Sequence, residues 1–384
     1  MNHHDLCVSD LWLSRYAKLV VVATFIVIMI GGHTTTSGAG MAFPDWPLSH
    51  GSLNPDQWWT DFMQRLEHGH RMAAESVALL IGILCAWVWQ SKWSLLMAFA
   101  GSAILAVAAR LADAPPPVIA HVGLWSAAAI FAFMILFRTP SSRARLAVTR
   151  WIAFAAFAGV CAQAILGGLR VTLETAGDST AAITFRILHG CFAQLELCLV
   201  VVLATRLSPS WINGERSAVF PAHLKAFAWS TAALVYLQLV IGAALRHNGA
   251  GLAIPTFPRA GTEGSWLPTV HSALIDLNFA HTRIGALVVS AAVLLLAGHA
   301  LRTAWRNGFI IGPALLLLFG LALQVVLGMF VIWQSRRPIV TTAHVLNGAA
   351  VLAATVLLAM RLSRNSSRVR GGETFAHQLE EAHA

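Results

Sequence analysis

The sequence predicts an all-α integral membrane protein with about ten transmembrane helices, arranged as two parallel-repeat four-helix bundles plus an extra helical hairpin. Three observations support this fold class. Of the 384 residues, 57% are hydrophobic and only 11% are charged, which is more apolar than a soluble domain. The chain contains ten apolar stretches of about 20 residues, the length of helix that spans a bilayer. A loop and a downstream histidine also occur twice in one register.

The ten predicted helices follow one another along the chain. They lie near 17–33, 68–90, 95–111, 117–137, 150–169, 185–206, 226–246, 280–301, 310–333 and 340–361. The connections at 34–67 and 247–279 are long and rich in Gly, Pro, Trp and His, and we expect them on the outer side of the membrane. The connections at 138–149 and 207–225 are basic or contain Pro and Ser, and we expect them on the inner side.

The repeated segment relates two halves of the chain. Residues 38–47 read GAGMAFPDWP, and the segment GAGLAIPTFP follows 211 positions later (249 minus 38). The same offset brings His281 to the position of His70. Because an even number of helices separates the two copies, both halves cross the membrane in the same direction, as parallel repeats do.

A second repeated motif locates an insertion. The pattern Gln-x-x-Leu-Gly occurs at 163–167 and at 324–328, and each copy precedes a helix that starts with a histidine, His189 or His344. These histidines are 155 residues apart (344 minus 189), 56 fewer than 211, so the first half contains an additional hairpin at about 93–138. The predicted organisation is an N-terminal half at 1–206, a cytoplasmic linker at 207–225, a C-terminal half at 226–362 and a cytoplasmic tail at 363–384.

The net charge of +9 reflects membrane topology more than a nucleic-acid partner. Most lysines and arginines fall in the segments expected inside, as the positive-inside rule requires. Both termini are therefore predicted to be cytoplasmic. The first residues resemble neither a cleavable signal peptide nor an acid-free transit peptide. These features predict a multi-pass protein of the bacterial plasma (inner) membrane.

Four histidines occupy matched positions near the outer starts of helices: His70, His189, His281 and His344. A single such histidine is most simply a hydrogen-bonded interfacial residue, but a histidine in a bilayer usually faces the bundle interior. Two on different helices of each four-helix unit suit bis-imidazole ligation of a heme iron. Zinc, which prefers about four protein ligands, fits less well. His121 lies in the inserted hairpin and is interpreted as structural.

Charged neighbours suggest that the two halves differ in chemistry. Arg71 and Arg283 follow the first histidine of each pair and could bind heme propionates, although such arginines can also extend to the lipid interface. Glu67 lies one helical turn before His70, whereas the matched position is Asn278. A carboxylate can serve as a general base and an amide cannot. We therefore expect catalysis in the first half and electron transfer in the second, with a dipole-stabilised helix-terminal acid as the competing interpretation of Glu67.

Together these motifs resemble the heme A synthase family. The matching runs are GGxTxxSGAGMAxPDWP at 31–47, EHGHR at 67–71, LGGLRV at 166–171, HGCFAQ at 189–194, RHxGAGLAIPxFP at 246–258 and FAH at 279–281. Family members usually have eight helices and often a cysteine pair in the first outer loop, which this chain lacks. The second half reads His-Thr-Arg where the family has His-Arg, which predicts that Arg283 lies about 100° further around its helix.

The resemblance implies an oxidoreductase that converts a ring methyl of heme O to the formyl group of heme A for cytochrome oxidase. His70 and His189 would flank the substrate heme O, Glu67 would be catalytic, and His281 and His344 would ligate a heme b cofactor. Heme O synthase, cytochrome oxidase assembly factors, an external electron donor and a homo-oligomer are the partners it suggests. Two alternatives remain: a non-enzymatic di-heme b electron carrier linked to quinone, and a transporter with repeat symmetry.

Overall fold

The computed structural model describes residues 3–91, 93–137, 147–212, 220–261 and 264–364, with backbone alone for 3–10. This part of the chain is all-α and contains ten helices long and apolar enough to cross a membrane, so the predicted fold class is confirmed and the chain is a multi-pass membrane protein. The helices are α1 (His3–Thr36), α2 (Phe62–Val88), α3 (Ser94–Leu111), α4 (Pro116–Leu136), α5 (Ala147–Thr175), α6 (Ser179–Arg206), α7 (Ala222–His247), α8 (Ala273–Thr303), α9 (Gly308–Trp333) and α10 (Pro338–Ser363). Residues 213–219 of the predicted linker and 365–384 of the predicted tail lie outside the described residues.

The four helices that carry the matched histidines have well-defined starts. The side chains of Asp61, Asp178 and Ser272 accept hydrogen bonds from backbone N–H groups in the first turns of α2, α6 and α8. Such caps satisfy donors that the helix itself leaves unpaired. Pro338 begins α10, where its missing N–H costs nothing. These local signals fix where each helix begins and therefore the depth of its histidine.

The helices pack as two rings of four. In the first unit, α1 contacts α2, α2 contacts α5, α5 contacts α6 and α6 returns to α1; in the second, α7, α8, α9 and α10 close in the same way. Each unit has its own buried apolar cluster. The hairpin of α3 and α4 packs mainly on itself, and Ala98, Phe131 and Ile135 attach it to the first cluster.

Helix α10 joins the two units. It contacts α1 and α6 as well as its own neighbours, and Ala349 and Ala353 belong to the apolar cluster of the first unit. At the end of the bundle that carries the long loops, here called the loop end, Thr36 Oγ1 and Thr342 Oγ1 are 2.9 Å apart. Arg246 on α7 also donates to the Gly32 carbonyl on α1 at 2.9 Å. The two units are thus packed directly against each other.

The repeated loops share an unusual backbone. Gly38 and Gly249 both have φ of 73°, the left-handed region that glycine adopts without strain. The peptide bonds Trp46–Pro47 and Phe257–Pro258 are both cis. These pairs of positions are each 211 residues apart, so both copies of the sequence repeat adopt one loop structure.

Candidate functional site

The structure brings the four matched histidines together as two pairs, one inside each helical ring. The ring centroids of His70 on α2 and His189 on α6 are 6.5 Å apart, with planes at 87°. Those of His281 on α8 and His344 on α10 are also 6.5 Å apart, with planes at 80°. The pairing predicted from the repeat is therefore the pairing in space.

This separation would let both imidazoles hold one iron. A metal ion bound at about 2 Å by one ring nitrogen of each histidine would leave the two ring centroids about 6 Å apart. The Nδ1 atoms of all four histidines are buried and have no hydrogen-bond partner within the described residues. Polar atoms buried in an apolar bundle are costly unless the group has a ligand or partner. Deep burial with an unpaired Nδ1 is compatible with histidines that hold a ligand, and it does not fit hydrogen-bonded groups at the lipid interface.

The donor set favours heme over a protein-only metal site. Among the described residues, no group of three or more His, Cys, Asp or Glu side chains could hold a metal ion. A structural zinc would need about four such ligands. A heme iron takes four nitrogens from the porphyrin and needs only two from the protein. Each histidine pair supplies that number.

Each imidazole rests against a glycine of the adjacent helix. The pairs are Gly31 with His70, Gly167 with His189, Gly242 with His281, and Gly328 with His344. An ideal Cβ added to each glycine would lie, in the same order, 2.6, 3.1, 2.7 and 3.3 Å from Cε1 of the paired imidazole. Even a methyl group would crowd these rings, so the four glycines set the position of each imidazole.

Three of the four histidines are contacted by a glutamine, two at the backbone carbonyl and one at the ring. Gln163 Nε2 donates to the His189 carbonyl and Gln238 Nε2 donates to the His281 carbonyl, both at 2.8 Å. Gln324 Nε2 lies 3.3 Å from the His344 ring. The sequence marked Gln163 and Gln324 as repeated residues but gave no reason for them. Their contacts show that they support the helices and rings that carry the pairs.

Glu67 lies inside the protein at the first pair. Only 1% of its surface is exposed; one oxygen accepts from the Phe43 backbone N–H at 3.0 Å and the other from Arg71 at 2.8 Å. Glu67 is the sixth residue of α2, past the first turn in which a helix dipole favours an acid. The helix-terminal interpretation of Glu67 therefore has little support.

Asn278 occupies the matched place in the second unit. It is fully buried, donates to the Ala250 carbonyl at 2.8 Å, and accepts from Arg283 at 3.3 Å. Both side chains thus tie the start of a histidine-bearing helix to the repeated loop. They differ in that the first unit presents a titratable carboxyl group and the second an amide.

Arg71 and Arg283 both hold the repeated loop. Arg71 donates to the carbonyls of Asp45 and Leu48 at 2.8 and 2.7 Å, in addition to its bond with Glu67. Arg283 donates to the carbonyl of Thr256, the residue matched to Asp45. These arginines clamp the loops over the histidine pairs. A propionate contact for either one stays a prediction.

The expected rotation of Arg283 is wrong. Residues Ala280–Gly285 form a π-helical turn, which accommodates one extra residue within an otherwise α-helical segment. Arg71 follows Glu67 by four residues, and Arg283 follows Asn278 by five, yet both pairs are in contact. The inserted residue is absorbed by the wider turn, so Arg283 returns to the face that Arg71 occupies in the first unit.

A basic cluster at the loop end was not assigned from the sequence. Arg170 donates to the Gly40 carbonyl at 2.9 Å, and the Arg336 side chain lies against Gly251, the matched glycine. Arg246 lies between the units, and His247 is within electrostatic reach of all three arginines. Fixed positive charge in an apolar setting favours anionic groups such as propionates. The motif LGGLRV contained Arg170, but only the structure shows which groups surround it.

Two other histidine contacts differ from the matched pairs. His121 packs on Trp46, with ring centroids 5.3 Å apart, so it supports the first loop as a structural residue. His223 and His299 are 6.2 Å apart, but both are exposed and lie at the opposite end of the second unit. Proximity of two imidazoles alone therefore does not distinguish a candidate iron site; burial and the facing glycine do.

Comparison with known proteins gives one family and a set of similarly named relatives. Residues 120–370 match the COX15-CtaA family, described as cytochrome oxidase assembly protein. A protein of Exiguobacterium sibiricum named heme A synthase is 27% identical over 277 residues, covering 70% of this chain and 72% of the relative. Heme A synthases of Geobacillus thermodenitrificans and Bacillus cereus are 22% and 21% identical, covering 94% and 96% of this chain and 95% and 100% of the relatives.

Proposed function

The chain belongs to the COX15-CtaA family of cytochrome oxidase assembly proteins, and from this premise we propose that it is a heme A synthase. It would be an integral membrane oxidoreductase that converts a ring methyl of heme O to the formyl group of heme A. The observation that carries the proposal is the pair of equivalent histidine sites, which differ in that the first has the buried carboxyl group of Glu67 one helical turn before its histidine and the second has Asn278 at the matched place. A pure electron carrier has no use for that difference.

The two units would have different roles, one in substrate binding and the other in electron transfer. In the N-terminal half (1–206, with the hairpin at about 93–138), His70 and His189 hold the substrate heme O. In the C-terminal half (226–362), His281 and His344 hold a heme b cofactor, which supplies electron-transfer chemistry when bound. Arg71 and Arg283 keep the loops closed over the two sites, and the basic cluster of Arg170, Arg246 and Arg336 accepts the propionates between them.

Glu67 would accept protons that leave the substrate. Written as a half-reaction with water as the oxygen donor, a methyl group and one water give a formyl group, four protons and four electrons, so protons as well as electrons must leave the substrate site. The Glu67 carboxyl group is one helical turn from His70 and is sheltered from water by the Phe43–Ser49 part of the loop. A carboxyl group so placed can accept protons or stabilise developing positive charge. Electrons would pass through the second unit between the substrate site and an external redox partner.

The cellular setting follows from the same premise. We place the protein in the bacterial plasma membrane with both termini in the cytoplasm. Heme O synthase would supply the substrate, and cytochrome oxidase assembly factors would receive the product.

Extraction of the bound hemes tests the function. The chain is co-expressed with a heme O synthase, purified, and its hemes are identified by mass beside a reduced-minus-oxidised spectrum. Heme A together with heme b is the expected result. Two retained hemes b with no altered porphyrin would identify an electron carrier instead, and a preparation without Soret absorbance would exclude both assignments.

The glycine contacts predict a steric effect on heme b. We expect Gly242→Ala to weaken heme b retention by about 10-fold, because overpacking typically costs about 1–3 kcal/mol and the new methyl would lie 2.7 Å from His281 Cε1. Gly298→Ala is the matched control, since nothing lies within 4 Å of its added Cβ. Heme per protein after gel filtration measures the effect. Equal retention in both variants would contradict this role of Gly242.

The π-helical turn predicts that one residue is dispensable. Deletion of Thr282 leaves His281 adjacent to the arginine, as His70 and Arg71 are, and lets the segment become α-helical. Heme b retention should then stay within about twofold of the parent protein. Deletion of Met72 is the control: α2 has no such turn there, so the rest of the helix rotates by about 100° and folded protein should be lost. If both deletions behave alike, the π turn does not absorb the extra residue.

A further inference from the structure

Glu196 is a buried carboxyl group that the proposed chemistry does not use. It lies on α6, is only 4% exposed, and both carboxyl oxygens are buried with no hydrogen-bond partner in the described part of the chain. It faces Gly159 on α5, where an added Cβ would collide with its Oε2. An ionisable group inside a membrane bundle is costly and usually marks a functional site. Within the described ranges, both oxygens of Glu196 are thus left for a group that binds from outside this part of the chain.

The second unit has the same position without the carboxyl group. Glu196 follows His189 by seven residues, and Val351 follows His344 by seven. Gly159 precedes Gly167 by eight residues, and Gly320 precedes Gly328 by eight. An ideal Cβ on Gly320 would lie 3.1 Å from Val351 Cγ2. The two positions are thus equivalent in sequence and in space, and one presents a carboxyl group where the other presents methyl groups.

The depth of Glu196 indicates which edge of a porphyrin it meets. Seven residues are two helical turns, so Glu196 is on the face of His189 and about 10 Å further from the loop end. The basic cluster of Arg170, Arg246 and Arg336 is at the loop end, where it would attract the propionate groups of a bound heme. The opposite edge, which carries the vinyl groups of heme b, would then face Glu196 in the first unit and Val351 in the second.

Heme O and heme b differ at that edge. Heme O has a hydroxyalkyl chain in place of one vinyl group, so it presents a hydroxyl group in an otherwise apolar environment. A carboxyl group can accept from or donate to a hydroxyl, whereas valine methyl groups suit a vinyl group. A site built to hydrogen-bond a substrate hydroxyl rejects the analogue that lacks it, because the buried polar group is then left unpaired.

We propose that Glu196 hydrogen-bonds the hydroxyl group of the substrate's hydroxyalkyl chain and selects heme O over heme b in the first unit. Val351 selects the vinyl-bearing heme b in the second. This inference rests on the proposed function, since it takes the first unit as the substrate site. It explains how two similar sites in one chain avoid exchanging their hemes.

Heme titration tests the selection. Full-length protein already holding heme b in the second unit is titrated with heme O or with heme b, and the added Soret absorbance reports binding to the first unit. We expect the parent protein to prefer heme O, Glu196→Val to lose that preference by about 10- to 100-fold, and Glu196→Gln to keep most of it. Retained heme b in each variant shows that the second unit is folded.

The outcomes separate the inference from the function it rests on. An unchanged preference in Glu196→Val, with heme O still converted to heme A, would overturn the role of Glu196 alone. A parent protein whose first unit binds neither heme would overturn both. Loss of heme O binding in Glu196→Gln as well as Glu196→Val, with heme b binding equally reduced, would assign Glu196 a purely structural role and also overturn the inference.

Discussion

Replacement of Glu67 by alanine is expected to lower heme A formation by about 100-fold or more, the scale on which a positioned acid or base contributes to catalysis. The carboxyl group is next to His70, buried, and held by the Phe43 N–H and Arg71. Removal of both oxygens leaves no other carboxyl group in contact with Arg71 among the described residues. Extracted heme from cells that supply heme O measures the yield.

Two further variants distinguish a chemical role of Glu67 from a purely structural one. Glu67→Gln keeps an oxygen that can accept from Arg71 but cannot take up a proton at neutral pH, so heme O should remain bound and unconverted. Asn278→Ala changes the matched residue of the second unit and should leave heme A formation within a few-fold of normal. Full activity in Glu67→Gln would show that the residue only holds the loop.

The fold and the histidine pairs could be predicted because both are recorded in local patterns. Apolar length alone identifies a membrane-spanning helix, and all ten helices were found in order. The pairing of His70 with His189 needed no distance information, because the repeat fixed the equivalent pair in the second half. The contrast of Glu67 with Asn278 was visible for the same reason. Because the chain contains two copies of one unit, matched positions of the two halves can be compared directly.

The residues that the sequence did not reveal depend on contacts between distant segments. Arg283 was predicted to be rotated because a constant α-helical period was assumed, and the π turn at Ala280–Gly285 breaks that period. The role of Gly31 and Gly242 appears only when the facing imidazole is in place. Glu196 looked like any polar residue of an apolar helix, since its lack of a partner is a property of the packed interior.

The matched positions together describe how one duplicated unit could acquire two roles. The imidazoles, the facing glycines and the clamping arginines are the same in both units, and in the proposed function these set the geometry of each heme site. The differences are chemical: Glu67 against Asn278 near the loop end, and Glu196 against Val351 deeper in the bundle. In the proposed function, ligation is common to both units, and reactivity and selectivity differ at these positions.

Single histidine replacements are expected to give opposite spectral results in the two units. His344→Ala removes one of the two histidines that would hold the proposed heme b, so the reduced heme b bands should be lost, and heme A formation should fall by about 100-fold or more because the electron route is broken. His189→Ala should retain the heme b bands and lose heme A formation. Reduced-minus-oxidised spectra and extracted hemes, measured on the same preparations, give both readouts.

The third close pair of imidazoles supplies the control. His223 and His299 are 6.2 Å apart, but His299 is exposed and far from the loop end, so His299→Ala should change neither readout. If His299→Ala removed the heme b bands, His281 and His344 would not be the pair that holds the heme b iron. If His189→Ala and His344→Ala lost the same bands, the two units would not hold different hemes. The division of labour inferred from Glu67 and Asn278 requires that the two histidine variants differ, because only then does the carboxyl group belong to a site distinct from the electron-transfer heme.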